Sequence, residues 1–258
     1  MTDHRGSVRD GFLLSIGTLT ALRVPAPRTV DRRSAAIAMT VAPLAVVPLA
    51  VLAGAVGWAG TELELTPWAV AVAMVIVLAL GSRALHLDGL SDVADGLTAG
   101  HDRGRSLEVM KDSAAGPAGA AALVLTLGLQ TAALGGLLLH DQGPWLATFL
   151  ICVSRAILAL ACMRGVRPAR GDGLAVSFAQ TIPRPVAAAV WIIAAAGAAG
   201  VFTWSGDIDW WRGPVCVAVG LVVAAVVIGH CVRRFGGVTG DVFGATIEIS
   251  LAAMMLVA

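Results

Sequence analysis

The chain has 258 residues, of which 57% are hydrophobic and only 14% charged, with a net charge of +1 and a mean hydropathy of +0.83. Soluble domains run nearer to about 45–50% apolar and about 25% charged. These proportions exclude a disordered chain, a nucleic-acid binder with a broad basic surface and an ordinary cytosolic globule, and they predict an integral membrane protein.

Taken in chain order, the apolar segment 11–22 follows Arg5 and Arg9 but is only about half the ~20 residues a spanning helix needs. No small-x-small cleavage site follows it, and Arg23-Val-Pro-Ala-Pro27 comes next. It reads as a retained helix lying at, or re-entering, the membrane interface. Spanning helices are predicted over 36–58, 67–87, 114–139, 144–163, 186–204 and 214–231. A seventh apolar stretch, 242–258, is short, contains Glu248 and reads as a partial span. The expected fold is an all-α, polytopic bundle of six or seven transmembrane helices in a single domain over 1–258. No internal repeat is visible.

The loops alternate in charge. Of the 18 Lys and Arg residues, all but Arg155 and Arg212 fall before the first span or in the 83–112, 164–184 and 232–241 segments. The positive-inside rule places the N-terminus and these loops in the cytoplasm. Short outer loops carry Glu62, Glu64, Asp141, Asp207 and Asp209. Tyrosine is absent, and five of the seven tryptophans lie near span ends, as interfacial anchors do. The four cysteines sit in or beside apolar runs without zinc-site spacing and read as unpaired core residues.

The densest polar cluster is His86-Leu-Asp88-Gly-Leu-Ser-Asp92-Val-Ala-Asp95-Gly96. On a helix, Asp88, Asp92 and Asp95 fall within about 60° of one another. None has a basic residue three or four positions on, so the stripe repels itself unless a cation neutralises it. Hard divalent cations such as magnesium prefer carboxylate oxygens and bridge to substrate phosphates. The competing reading is a solvated acidic helix end, which the apolar residues between the acids argue against. His86 suits either a general base or a structural histidine.

A second cluster runs Arg103-Gly-Arg105-Ser-Leu-Glu108-Val-Met-Lys111-Asp112-Ser113. Glu108 and Asp112, one helical turn apart, suit a metal. Arg103, Arg105 and Lys111 suit phosphates. An ordinary cytoplasmic basic loop fits the same stretch equally well. The third cluster is Arg233-Arg234-Phe-Gly-Gly237-Val-Thr239-Gly240-Asp241, with Glu248 beyond. Gly237, Thr239 and Gly240 open a helix whose N–H groups can hold an anion, and Asp241 and Glu248 share a face. An acidic cap followed by a buried glutamate is the alternative. Arg155, midway along the fourth span, needs a carboxylate or a substrate phosphate. Gly171-Asp172-Gly173-Leu174 reads as a loop more than as a lid. These clusters together suit metal-assisted phosphoryl-group chemistry at the inner face.

The motifs His86-Leu-Asp-Gly-Leu-Ser-Asp-Val-Ala-Asp-Gly96, Leu107-Glu-Val-Met-Lys-Asp-Ser113 and Gly236-Gly-Val-Thr-Gly-Asp241 with Gly244, Ala245 and Glu248 resemble the cobalamin synthase family, the adenosylcobinamide-GDP ribazoletransferases. Arg23-Val-Pro-Ala-Pro27 fits as well, and the resemblance runs from about residue 12 to the end of the chain. One departure is Ala-Ala-Gly-Pro after Ser113, where a basic or bulky residue is often found. The resemblance implies attack by a hydroxyl of α-ribazole, or of its 5′-phosphate, on the cobinamide-linked phosphorus of adenosylcobinamide-GDP, with GMP leaving. It also implies magnesium as cofactor and residence in the cytoplasmic (inner) membrane. On this basis Asp88, Asp92 and Asp95, with Glu108, Asp112, Asp241 or Glu248, are expected to bind the metal. Arg103, Arg105, Lys111 or Arg155 are expected at the phosphates, and a site carboxylate or His86 is expected to act as base. The expected partners are the two substrates and the lipid bilayer, with no nucleic acid. A homo-oligomer and clustering with other cobalamin-assembly enzymes are further expectations to test. CDP-alcohol phosphotransferases, whose aspartates lie in one longer motif, are the second reading, and an ion-coupled transporter is the third.

Overall fold

A computed structural model describes residues 6–112, 114–206 and 208–258. Arg5, Ser113 and Asp207, named above, lie outside the described residues. The chain forms fourteen helices among the described residues: α1 Val8–Leu19, α2 Arg32–Thr40, α3 Ala42–Ala45, α4 Val47–Glu62, α5 Pro67–Gly81, α6 Leu85–Thr98, α7 Arg103–Val109, α8 Pro117–Leu137, α9 Gly143–Ser154, α10 Ile157–Ala161, α11 Leu174–Phe178, α12 Arg184–Ser205, α13 Arg212–Phe235 and α14 Gly240–Val257. Proline occupies the first turn of α4, α5, α8, α9 and α12, where its missing N–H costs no hydrogen bond.

Among the described residues, five segments are long and apolar enough to cross a membrane: α8, α9 with α10, α12, α13 and α14. They match five of the expected segments to within a few residues. The last is a full 18-residue helix despite Glu248, so it is longer than the partial span expected of it. The first two expected spans differ. The 36–58 stretch divides at Val41 and Val46 into α2, α3 and α4, each break preceding a proline (Pro43, Pro48). The 67–87 stretch ends at Gly81, and the chain turns 90° into α6.

That corner determines where the acidic cluster lies. Arg83 and Ala84 both adopt left-handed backbone (φ 58° and 54°), a conformation that costs non-glycine residues on the order of 1 kcal/mol each. Contacts to the end of α1 and within the turn hold it there. Ala21 N donates to Gly81 O at 2.6 Å, Arg83 Nη2 to Gly17 O at 2.9 Å, and Ala84 N to Ala79 O at 2.7 Å. The short α1 thus buttresses the corner.

The bundle centres on α14, which packs against α6, α8, α9 and α13 and is buried along most of its length. Outward faces of α8, α12 and α13 expose Leu125, Ile193 and Val226, as lipid-facing helices do. Small residues allow close helix approach: a Cβ on Gly135 would fall 1.9 Å from the Trp68 ring, and one on Gly220 2.6 Å from Met254 Sδ. All four cysteines are free.

Candidate active site

Two segments far apart in sequence meet at the N-terminal end of α14. A Cβ on Gly89 of α6 would fall 2.7 Å from the carbonyl oxygen of Asp241, and one on Gly244 of α14 would fall 2.8 Å from the Cα of His86. Only glycine permits such contact at both crossings. The crossing brings Asp92 within electrostatic reach of Asp88, Asp95, Asp241 and Arg170. Asp88 is exposed, and Asp92, Asp95 and Asp241 are partly buried.

The four acids are not equivalent. Asp95 Oδ2 accepts from Gly116 N at 2.7 Å and Oδ1 from Gly119 N at 2.9 Å, so its carboxylate caps the start of α8. Asp241 Oδ2 accepts from Arg170 Nη2 at 2.9 Å. Asp88 and Asp92 accept no side-chain hydrogen bond among the described residues. Among the described residues, no three His, Cys, Asp or Glu side chains stand ready-arranged around a metal position. The donor set nevertheless fits a hard divalent cation in its chemistry. Asp88, Asp95 and Asp241 all act on Asp92, as does Arg170, and Asp88 and Asp92 have no donor among the described residues.

The other expected site residues are placed elsewhere. Glu108 and Asp112 are exposed on α7 and just beyond it, and neither is among the charges that act on Asp92. Arg103 donates through Nη2 to Ala169 O and lies over Gly236, whose φ is 76°. The Arg105 side chain is exposed. Lys111 Nζ pairs with Asp172 Oδ2 at 2.9 Å, and its ammonium holds that carboxyl below the usual carboxylate range.

The glycine loop is packed against protein backbone. A Cβ on Gly237 would fall 2.5 Å from Arg167 O, because Val238 N donates to Arg167 O (2.9 Å) and Ala169 N to Val238 O (2.8 Å). Gly240 packs on Leu174. Thr239 caps α14, its hydroxyl accepting from Val242 N at 3.2 Å. These bonds bring the segment that carries Arg170 to the start of α14.

Arg155, His86 and Glu248 form a second group, buried in the core. Arg155 is 1% exposed at the junction of α9 and α10, and its Nη1 donates to Ile151 O (3.1 Å) and Ser154 Oγ (2.6 Å). It lies within electrostatic reach of Glu248. Glu248 Oε1 is 3.4 Å from His86 Nδ1, and Glu248 Oε2 accepts from Gln130 Nε2 at 2.7 Å. By helical geometry His86 points away from the Asp88–Asp92–Asp95 stripe.

Sequence reasoning missed Arg170 and Gln130. Arg170 was hidden among the arginines of a basic loop, although the flanking Gly171-Asp172-Gly173 marked an unusual turn there. Gln130 carried a signal in plain view, since a polar side chain in the middle of an apolar span needs a buried partner.

The family model described as cobalamin-5-phosphate synthase matches residues 11–258. Among the relatives is an adenosylcobinamide-GDP ribazoletransferase of a Nocardioides species, 46% identical over 96% of this chain and 98% of the relative. A protein of the same name from Frankia casuarinae is 38% identical over 93% of this chain and 90% of its own length. Another, from Bradyrhizobium diazoefficiens, is 37% identical over 80% of this chain and 77% of its own. No solved structure matches the chain. The chain belongs to the cobalamin-5-phosphate synthase family, whose named relatives are transferases.

Proposed function

We propose that the protein transfers the cobinamide-phosphate group of adenosylcobinamide-GDP to α-ribazole or its 5′-phosphate, giving adenosylcobalamin or its 5′-phosphate and GMP. The observation that carries this reading is the meeting of Asp88 and Asp92 with Asp241 at one end of the bundle, in a chain whose family match covers residues 11–258. The same match weighs against the CDP-alcohol phosphotransferase and transporter readings.

Phosphoryl transfer needs little covalent help from protein and much charge neutralisation and positioning. Asp88, Asp92 and Asp241 would hold magnesium, which when bound neutralises phosphate charge and stabilises the departing GMP. Asp95 keeps the positive end of α8 beside these acids. Asp88, exposed and with no hydrogen-bond donor among the described residues, would use the oxygen not committed to the metal to take the proton of the attacking hydroxyl. The buried Glu248–His86 group holds α6 on α14 beneath them. The distribution of Lys and Arg supports a cytoplasmic position for the acid cluster, and the proposed membrane is the inner one.

The test is purified protein in detergent with both substrates and magnesium chloride. GMP release that requires all three supports the proposal. Absence of release under every substrate and metal combination overturns it.

A further inference from the structure

The four carboxylates create a problem for any phosphate-bearing substrate. Asp88, Asp92, Asp95 and Asp241 repel a polyanion, and Arg170 is the cation within reach of Asp92 among the described residues. A phosphate entering this group needs a positive partner supplied by the protein, in addition to any metal.

Arg170 has unused capacity. Its guanidinium carries five N–H donors in a fixed fork. Nη2 donates to Asp241 at 2.9 Å, and Nε lies 3.8 Å from Asp172 Oδ1, too far for a hydrogen bond. Nη1 is buried and has no partner among the described residues. A buried, unmatched donor next to a made ion pair marks a guanidinium whose full complement of acceptors is absent. Of the residues expected to hold phosphate, Arg103 is engaged on Ala169 O, Lys111 on Asp172 and Arg155 in the core, while Arg105 is exposed and is not among the charges that act on Asp92.

The position of Arg170 is fixed by its neighbours. Backbone bonds between 167–169 and Val238 hold its segment against the start of α14, and the Lys111–Asp172 pair ties the second residue after it to the chain just beyond α7. Gly171 and the left-handed Gly173 (φ 82°) flank Asp172.

The geometry points to Arg170 as a phosphate-binding residue of the active site, with Asp241 as its partner when no substrate is present. The ligand class is the phosphate ester of a nucleoside diphosphate. Arginine is suited to this task because its planar fork meets two phosphate oxygens at once, which lysine cannot do. This inference rests on the transferase reading of the acid cluster and deepens it.

The test uses the full chain purified in detergent with magnesium chloride, with GDP and guanosine as probes in equilibrium binding. The wild type is expected to bind GDP more tightly than guanosine. Arg170→Gln is expected to weaken GDP binding by about tenfold or more, the scale of a lost charge-assisted hydrogen bond, and to leave guanosine binding unchanged. Arg170→Lys should fall between the two. Equal GDP affinity in wild type and Arg170→Gln overturns the inference, as does a parallel loss of GDP and guanosine binding, which marks a merely structural role. A wild type that does not prefer GDP overturns it too. Should the glutamine variant fail to fold, wild-type GDP affinity in Arg170→Lys overturns the bidentate assignment. GMP release from the complete substrates is read separately. Its absence alongside an Arg170-dependent preference for GDP removes the transferase reading and leaves the phosphate site standing.

Discussion

Gly89 of α6 stands directly against the backbone of Asp241 in α14, with room for a hydrogen and none for a methyl group. A Cβ there would lie 2.7 Å from the Asp241 carbonyl oxygen and 2.8 Å from its Cα. Because the obstruction is backbone, no side-chain rotation relieves it. Gly89→Ala should push α6 off α14 and separate Asp88 and Asp92 from Asp241. A stability loss of about 1–3 kcal/mol is expected from overpacking, with a larger proportional loss of turnover. Thermal unfolding in detergent and GMP release measure the two effects. Wild-type values for both would show that the crossing is not as tight as described.

Asp92 and Asp95 lie one helical turn apart and should respond differently to the same change. Asp95 caps α8 through two backbone N–H groups, whereas Asp92 accepts no hydrogen bond among the described residues. Asp95→Ala should cost about 0.5–2 kcal/mol of stability, as lost helix caps do. Asp92→Asn should leave the unfolding temperature near wild type and remove most magnesium-dependent GMP release. Wild-type turnover in Asp92→Asn would separate the acid stripe from the chemistry.

The buried group makes a prediction about coupling. Arg155 and Glu248 are 1% and 7% exposed, and removing one charge leaves the other in the core of the bundle. Losing one partner of a buried pair typically costs about 3–5 kcal/mol, while replacing both can be close to neutral. Glu248→Ala should therefore destabilise strongly, and adding Arg155→Met should restore part of the loss. Unfolding of the wild type, both single variants and the double variant gives the coupling directly. Strict additivity would show that the two charges do not interact.

The sequence contained the bundle because apolar length is a local property. Each of α8, α12, α13 and α14 carries its own run of about 20 apolar residues, bounded by proline, glycine or arginine. It did not contain the corner at Arg83 and Ala84, since neither residue is a usual left-handed former and the contacts that hold them there come from α1. The same limit applies to the site. The stripe of Asp88, Asp92 and Asp95 was legible from helical spacing, and its meeting with Asp241 was an expectation that only the Gly89 and Gly244 crossings made concrete. Capping by Asp95, the ion pair of Arg170 and the burial of Glu248 against Gln130 depend on partners 24, 71 and 118 residues away, respectively. Residue type alone left those roles open.

Asp31 gives a pH dependence remote from the site. Its carboxylate accepts from Gly6 N at 2.8 Å and from Ser34 N at 2.7 Å, joining the chain before α1 to the start of α2. Led by the Gly6 bond and then by that from Ser34, these contacts lower its pKa to about 2. The unfolded value is near 3.8, so the folded state binds the proton less readily than the unfolded state. The stabilisation is therefore fully present above about pH 4 and is lost as the pH falls from there toward about 2. Because the side chain is partly exposed, solvent and salt reduce its size. Amide exchange at Gly6 and Ser34 should accelerate across that window, beyond the intrinsic pH dependence of exchange. In Asp31→Asn the same amides should show no additional change over those pH values. An acceleration in the variant equal to that in the wild type would mean that another carboxylate controls the joint between α1 and α2.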